Sequence, residues 1–137
     1  MLLDNQLMFS DAQALIATAV STNVIDMGVS RDLGAGEPFW VQFTFGAVTS
    51  NATWNAAFKG SNTADMTTDP AITKFTTPTV TPVANSMYLM RVPPGIAKRY
   101  YRIDYTMSGG TSPSITTTAT LVKDSMIKPF SRALLGV

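Results

Sequence analysis

The chain has no cysteine and no histidine among its 137 residues. Those absences exclude disulfides, thiol nucleophiles, histidine general bases and almost every transition-metal site. Without cysteine there is no signal about redox compartment. Glutamate is nearly absent too, with Glu37 alone beside eight aspartates. Charged residues make up only 14%, against a norm of roughly 25% for soluble domains. Strong helix formers are scarce, with five Lys, three Gln and one Glu.

Long apolar runs are missing as well. Residues 38–58 carry no charge. Gln42, Thr44, Asn51 and Asn55 interrupt them, and they alternate like a strand rather than a membrane helix. The first basic residue is Arg31, after Asp4 and Asp11, so residues 15–20 do not read as a secretion signal. The expectation is a soluble protein with no targeting segment and no membrane partner.

What is present is 19 threonines, 11 serines and 45% hydrophobic residues. The length fits a single domain, residues 1–137, of the usual ~100–150 residues. Thr, Val, Ile and aromatics suit a pleated, half-buried surface. Strands are predicted at 37–46, 53–59, 87–92, 98–107 and 114–122, with weaker ones near 23–27, 71–75 and 79–83. In 37–46, Phe39, Val41, Phe43 and Phe45 share one face. In 98–107, Tyr101, Ile103, Tyr105 and Met107 point inward; Tyr100, Arg102, Asp104 and Thr106 point outward. In 114–122, Ile115, Ala119 and Leu121 point inward; Thr116, Thr118 and Thr120 point outward. Residues 14–20 read as a strand in preference to a helix, although Ser10 and Gln13 stand three apart like a capping box. A short helical turn fits 62–66, and 76–82 reads as an extended loop or edge. About eight short strands separated by Gly/Pro turns predict an all-β, single-domain antiparallel β-sandwich, jelly-roll-like.

Few constellations carry chemistry. Asp26, Asp32 and Glu37 could pair as glycosidase carboxylates, but their glycine-rich setting reads as turn formation. Asp65, Asp69, Asn62 and Thr67 match a calcium loop only loosely. Gly34-Ala35-Gly36 is not followed by a helix and is no phosphate loop. The expectation is no enzyme, no cofactor and no metal. Charge is polarised: residues 1–90 carry a net −4 and residues 91–137 a net +5. Arg91, Lys98, Arg99 and Arg102 cluster with Tyr100, which reads as a solvated strand end or a protein-docking patch, not as a nucleic-acid groove. Both ends are apolar. Leu2, Leu3, Leu7, Met8 and Phe9 lie in an N-terminal arm (about 1–9). Met126, Ile127, Phe130, Leu134, Leu135 and Val137 lie in a C-terminal tail (about 124–137). Either these ends pack on the domain's own core or they lie on neighbouring subunits.

Residues 21–28 (Ser-Thr-Asn-Val-Ile-Asp-Met-Gly), Arg31-Asp32-Leu33-Gly34 and Gly36-Glu37-Pro38 resemble the N-terminal half of the capsid cement (decoration) protein family of tailed bacteriophages. Val92-Pro93-Pro94-Gly95 and residues 98–105 (Lys-Arg-Tyr-Tyr-Arg-Ile-Asp-Tyr) resemble its C-terminal half. The Thr-rich stretch 46–90 departs from that pattern. The resemblance implies a homotrimer on the capsid exterior that clamps junctions between major capsid protein subunits, assembled in the host cytoplasm. Leu2, Leu3, Leu7, Phe9, Arg91, Lys98, Arg99, Tyr100, Arg102 and Phe130 are its expected interface residues. The alternative is a virion-associated carbohydrate- or receptor-binding sandwich, with Trp40 and Trp54 as a sugar-stacking platform.

Overall fold

Strands that alternate apolar and polar residues bury one face each, and two such sheets can bury their apolar faces against one another. The structure, a computed structural model, describes residues 7–36 and 38–123. Among them it holds nine strands in two antiparallel sheets packed as a sandwich, and no α-helix. The first sheet runs β1 (Met8–Leu15), β9 (Ser114–Lys123), β4 (Phe39–Thr49), β7 (Met87–Arg91). The second runs β2 (Ala19–Val20), β8 (Lys98–Ser108), β5 (Thr53–Ser61), β6 (Ile72–Thr76). A fifth strand of that sheet, β3 (Ile25–Arg31), pairs with β8 further along the edge that β2 occupies. Ser21 fills the gap between β2 and β3. Its N–H donates to Ile103 O at 2.7 Å, and its Oγ accepts from Ile103 N at 3.1 Å.

The inward faces meet in an aromatic core. Trp54 is fully buried, with Phe43 and Phe45 edge-on at 5.1 and 4.9 Å. Phe58 stacks on Tyr101 at 5.2 Å and on Phe75 at 5.3 Å, and Phe9 meets it edge-on at 5.6 Å. Such pairs add about 0.5–1.5 kcal/mol beyond their buried area. Gly60 is needed beside them, because a Cβ there would lie 2.7 Å from the Tyr101 ring. A polar link crosses the layers where the Tyr105 hydroxyl lies 2.8 Å from Ser10 Oγ.

Several expectations are corrected. The first strand begins at Met8 and takes in the end of the N-terminal arm. Phe9 is wholly buried in its own domain and has no surface to offer a partner. Leu7 packs against the same core, partly buried. Leu2, Leu3, Phe130 and the rest of the tail lie outside the described residues, as does Glu37. Ser10 and Gln13 cap no helix: Ser10 Oγ donates to Gln13 Oε1, and Gln13 Nε2 donates to Val20 O across the bend between β1 and β2. Residues 79–83 form no strand; Val80 makes only an isolated bridge to Trp54, because Pro78 and Pro82 have no N–H to extend it. Residues 62–66 make turns, not a helix.

Residues paired across strands share a face. The register therefore lines up Met8, Thr120, Gln42 and Leu89 across the outer face of the first sheet, followed by a row of Val122, Trp40 and Arg91. Met8, Thr120, Leu89 and Val122 are 5%, 3%, 0% and 2% exposed, although all four face away from the core. Thr120 is thus outward as expected, yet buried. The next row, Thr118, Thr44 and Met87, is open to solvent at Thr44. Register shifts interrupt the pairing of β1, β3 and β6 with their neighbours.

Candidate functional site

The strand β8 is central in the second sheet, and its alternation decides what that sheet shows to solvent. Tyr101, Ile103 and Tyr105 are buried, so Tyr100, Arg102, Asp104 and Thr106 stand on the outer face. Strand β5 adds Lys59 opposite Arg102, β3 adds Asp26 opposite Tyr100, and β2 adds Val20 opposite Asp104. Tyr100 and Arg102 therefore lie on the outer sheet face, as the alternation predicts. Arg91 is not part of it, because β7 belongs to the other sheet.

Like charges crowded on one strand need compensation, and the fold supplies it from distant parts of the chain. Arg99 grips Asp26 with two nitrogens at 2.8 and 3.0 Å. Arg102 reaches Asp104 at 2.7 Å, and Lys59 reaches the same carboxylate at 3.0 Å. Lys98 meets Asp69 at 2.8 Å. Asp26, Asp69 and Asp104 thus supply counter-charge to this cluster from within the chain. Arg91 and Arg31 are exposed, and among the described residues neither has an ion-pair partner.

The carboxyls register this pairing. The hydrogen bond from Arg99, helped by the Gly28 N–H, holds Asp26 below the ordinary carboxylate range. Burial pushes Asp104 up, but hydrogen bonds from Arg102 and Lys59 outweigh it and leave its carboxyl lowered. Lys98 and the Asn62 N–H lower Asp69. Asp26 also forms the turn foreseen for it. Its carboxylate accepts from Gly28 N at 2.8 Å, and Gly28 takes a φ of +79°, a value that suits glycine. From Asp26 to Arg31 five steps along β3 oppose only the two steps from Tyr100 to Lys98. The extra residues form a bulge in which Val29 is 56% exposed. Val20 and Val24 are exposed on the same edge.

This face is suited to holding another surface. The Arg99 guanidinium carbon lies 5.0 Å from the Tyr100 ring centroid and is fixed by Asp26, so an arginine and a tyrosine are pre-positioned together. Both residue types are enriched at interfaces. Asp26, Asp69 and Lys59 were not foreseen as members. Asp26 and Arg99 are 73 residues apart, and only the strand order brings them together. The sugar-stacking platform is corrected: Trp54 is fully buried in the core and cannot stack on a ligand.

The carboxylates weighed for catalysis or calcium are used by the fold. Asp32 accepts from Gly95 N at 2.8 Å and from Lys74 Nζ at 3.1 Å. Asp65 accepts from the Thr67 and Thr68 amides and from the Thr63 and Thr68 hydroxyls, which lower its carboxyl far below the usual range. Among the described residues no three His, Cys, Asp or Glu converge as a metal site. The Bbp16 family model matches residues 9–121, which takes in every strand that forms the outer face of the second sheet. No curated protein matches the chain.

Proposed function

This chain belongs to the Bbp16 family, and we propose that it is a structural virion protein, a capsid cement or decoration protein. On this reading it binds the outer surface of a phage capsid and reinforces contacts between major capsid protein subunits, without catalysis. The observation that carries it is the outer face and β3 edge of the second sheet. There an Arg–Tyr pair is fixed by Asp26, and the edge strand β3 carries an exposed valine at a bulge. The motif resemblance at both ends of the matched region supports the same reading. Neutralisation within the chain means docking by packing and hydrogen bonding, with little long-range steering. The self-assembly implied by the resemblance is a trimer.

The test is co-sedimentation with capsids stripped of this protein, from the phage that encodes it. Wild type binds. The double variant Tyr100→Ala with Arg102→Ala keeps its melting temperature within a few degrees and loses most of its binding. Wild-type protein that ignores the capsids, or a folded double variant that binds as well as wild type, overturns the assignment of this face. Light scattering at micromolar concentration reads the oligomer, and a persistent monomer argues against self-assembly.

A further inference from the structure

Charge is segregated along the length of the sandwich. Residues 12–25, 38–58, 75–90 and 105–122 contain no charged residue, and the strand directions gather the loops of these segments at one end. Strand β8 runs from Lys98 to Ser108, β5 sets Thr53 opposite Ser108, and β4 sets Thr49 opposite Ser114. The bend at 16–18 and the turns at 50–52 and 109–113 therefore close the same end. The 77–86 connection joins them, held by Val80 on Trp54 and by the Asn85 N–H on Phe45 O. In the second sheet, among the described residues, no charge lies on the side of this end beyond the row of Val20, Asp104 and Ala57. In the first sheet Arg91 and Lys123 stand toward the other end, opposite Trp40 and Phe39, and Asp11 sits at mid-strand in the β1 bulge. The uncharged loops are tied to one another. Thr18 Oγ1 accepts from Met107 N at 3.1 Å, and Thr111 N donates to Ser50 Oγ at 2.8 Å. Ile16 and Val83 stand out from this end, 71% and 68% exposed. Ile16, Thr18, Met107, Gly109 and Pro113 line an open cleft of about 420 Å³.

We propose that this charge-free end is where copies of the chain meet one another. The charge pattern selects a second copy over a different partner. A partner of other sequence can answer each charge with its opposite, which orients docking, so contact with it gives no reason to empty a whole end of charge. Copies grouped about a rotation axis bring the same loops face to face. Any charge near that axis meets its like, and only an uncharged end escapes this repulsion. Charged residues are also what interface cores lack. An exposed aliphatic side chain is not enough by itself to mark such a contact. The other end has one too, Ile96 at 59% exposure, but its loop lies against the Asp32 carboxylate and the Lys74 ammonium. The inference rests on the self-assembly proposed above and not on capsid binding, and it leaves the outer face of the second sheet free for a different surface.

The test adds charge to the end in the full-length chain. One variant carries Ile16→Lys with Val83→Lys, the other Ile16→Asp with Val83→Asp. Both positions are exposed, so melting temperatures should stay close to wild type. Analytical ultracentrifugation reads association. Wild type is expected to associate with a dissociation constant that is the same in low and high salt. Each double variant alone should associate at least about ten-fold more weakly, because like charges now face each other. An equimolar mixture of the two should recover association in part, because opposite charges then meet. Ile96→Asp makes the same kind of change at the other end and should leave association intact. A monomeric wild type overturns the self-assembly reading and this inference with it. An oligomer that persists in both double variants overturns the surface alone. So does one that Ile96→Asp disrupts equally, one that high salt dissolves, or a mixture that fails to recover. Double variants that self-associate normally but no longer co-sediment with stripped capsids also overturn it and assign the end to the capsid.

Discussion

Replacing Tyr101 by Phe tests whether one hydroxyl holds together the two strands that carry the proposed docking face. The ring would stay, stacked on Phe58. The hydroxyl donates to Arg31 O at 2.6 Å and accepts from Lys98 N at 3.2 Å. Arg31 and Lys98 are the pair that closes the register between β3 and β8. Removing the oxygen breaks two hydrogen bonds, each worth about 1 kcal/mol net. Arg31 is exposed and Lys98 half-buried, so water can reach both orphaned groups, and the penalty stays near that sum, about 2 kcal/mol. For a chain of this length that lowers Tm by roughly 6–8 °C. Tyr105→Phe is the control. It loses one bond to Ser10, and Ser10 keeps Gln13 as acceptor, so about 1 kcal/mol and half the Tm shift are expected. Urea and thermal unfolding followed by circular dichroism measure both. A Tyr101→Phe protein as stable as wild type, or less affected than Tyr105→Phe, refutes the reasoning. Hydrogen exchange at the Lys98 amide should also accelerate in the first variant only.

Three further outcomes are expected. Lys74→Met should cost roughly 2–3 kcal/mol, because its 3%-exposed side chain satisfies Asp32 and the Leu33 and Ile96 carbonyls and an unmet buried group is costly. Lys59→Met should cost under about 1 kcal/mol, as its pair with Asp104 is partly open to solvent; equal losses in thermal melts would contradict this ranking. Gly60→Ala should destabilise by about 1–3 kcal/mol, since its Cβ meets the Tyr101 ring, and a neutral result in urea titration would deny that contact. Stability should also fall in acid. Asp26, Asp32, Asp65, Asp69 and Asp104 all have carboxyls lowered from 3.8 by folding, so their contribution is present above 3.8 and is lost as pH falls through each folded value. Tm should be flat from neutrality to about pH 5 and drop below about 4, with a shallower drop in Asp65→Asn. A Tm that does not change down to about pH 2.5 would rule this out.

The long strands were legible because period-two alternation reports a face directly. Phe43, Ile103 and Leu121 point inward where the pattern puts them. Alternation says which side a residue takes and nothing about what lies over that side. Leu89, Thr120 and Val122 show the difference: they are outward and buried. Thr117 fails in the other direction, as a hydroxyl side chain with no exposure inside the core. The first strand was hidden because its apolar start resembles a loose arm and its polar middle, Ser10 to Gln13, resembles a helix cap. The outer face of the second sheet was half legible. Strand alternation placed Tyr100 and Arg102, but Asp26 and Asp69 reach Arg99 and Lys98 only through the strand order, which no local pattern encodes.

The interrupted pairing of the outer strands bears on how concentrated this protein can become. A sandwich has four sheet edges, each a template for another copy's backbone. Here β1 carries two register shifts and a left-handed Ala12, β3 bulges at Gly28, β2 is two residues long, and β6 shifts beside Lys59. An incoming strand cannot keep hydrogen-bond phase along any of these for more than a few residues. The regular edge is β7, only five residues long and ending in the exposed charge of Arg91. Strand addition is thus opposed by irregularity along every edge except β7, where shortness and a terminal charge are the only obstacles, in a chain whose low charge offers little colloidal repulsion to do the same job.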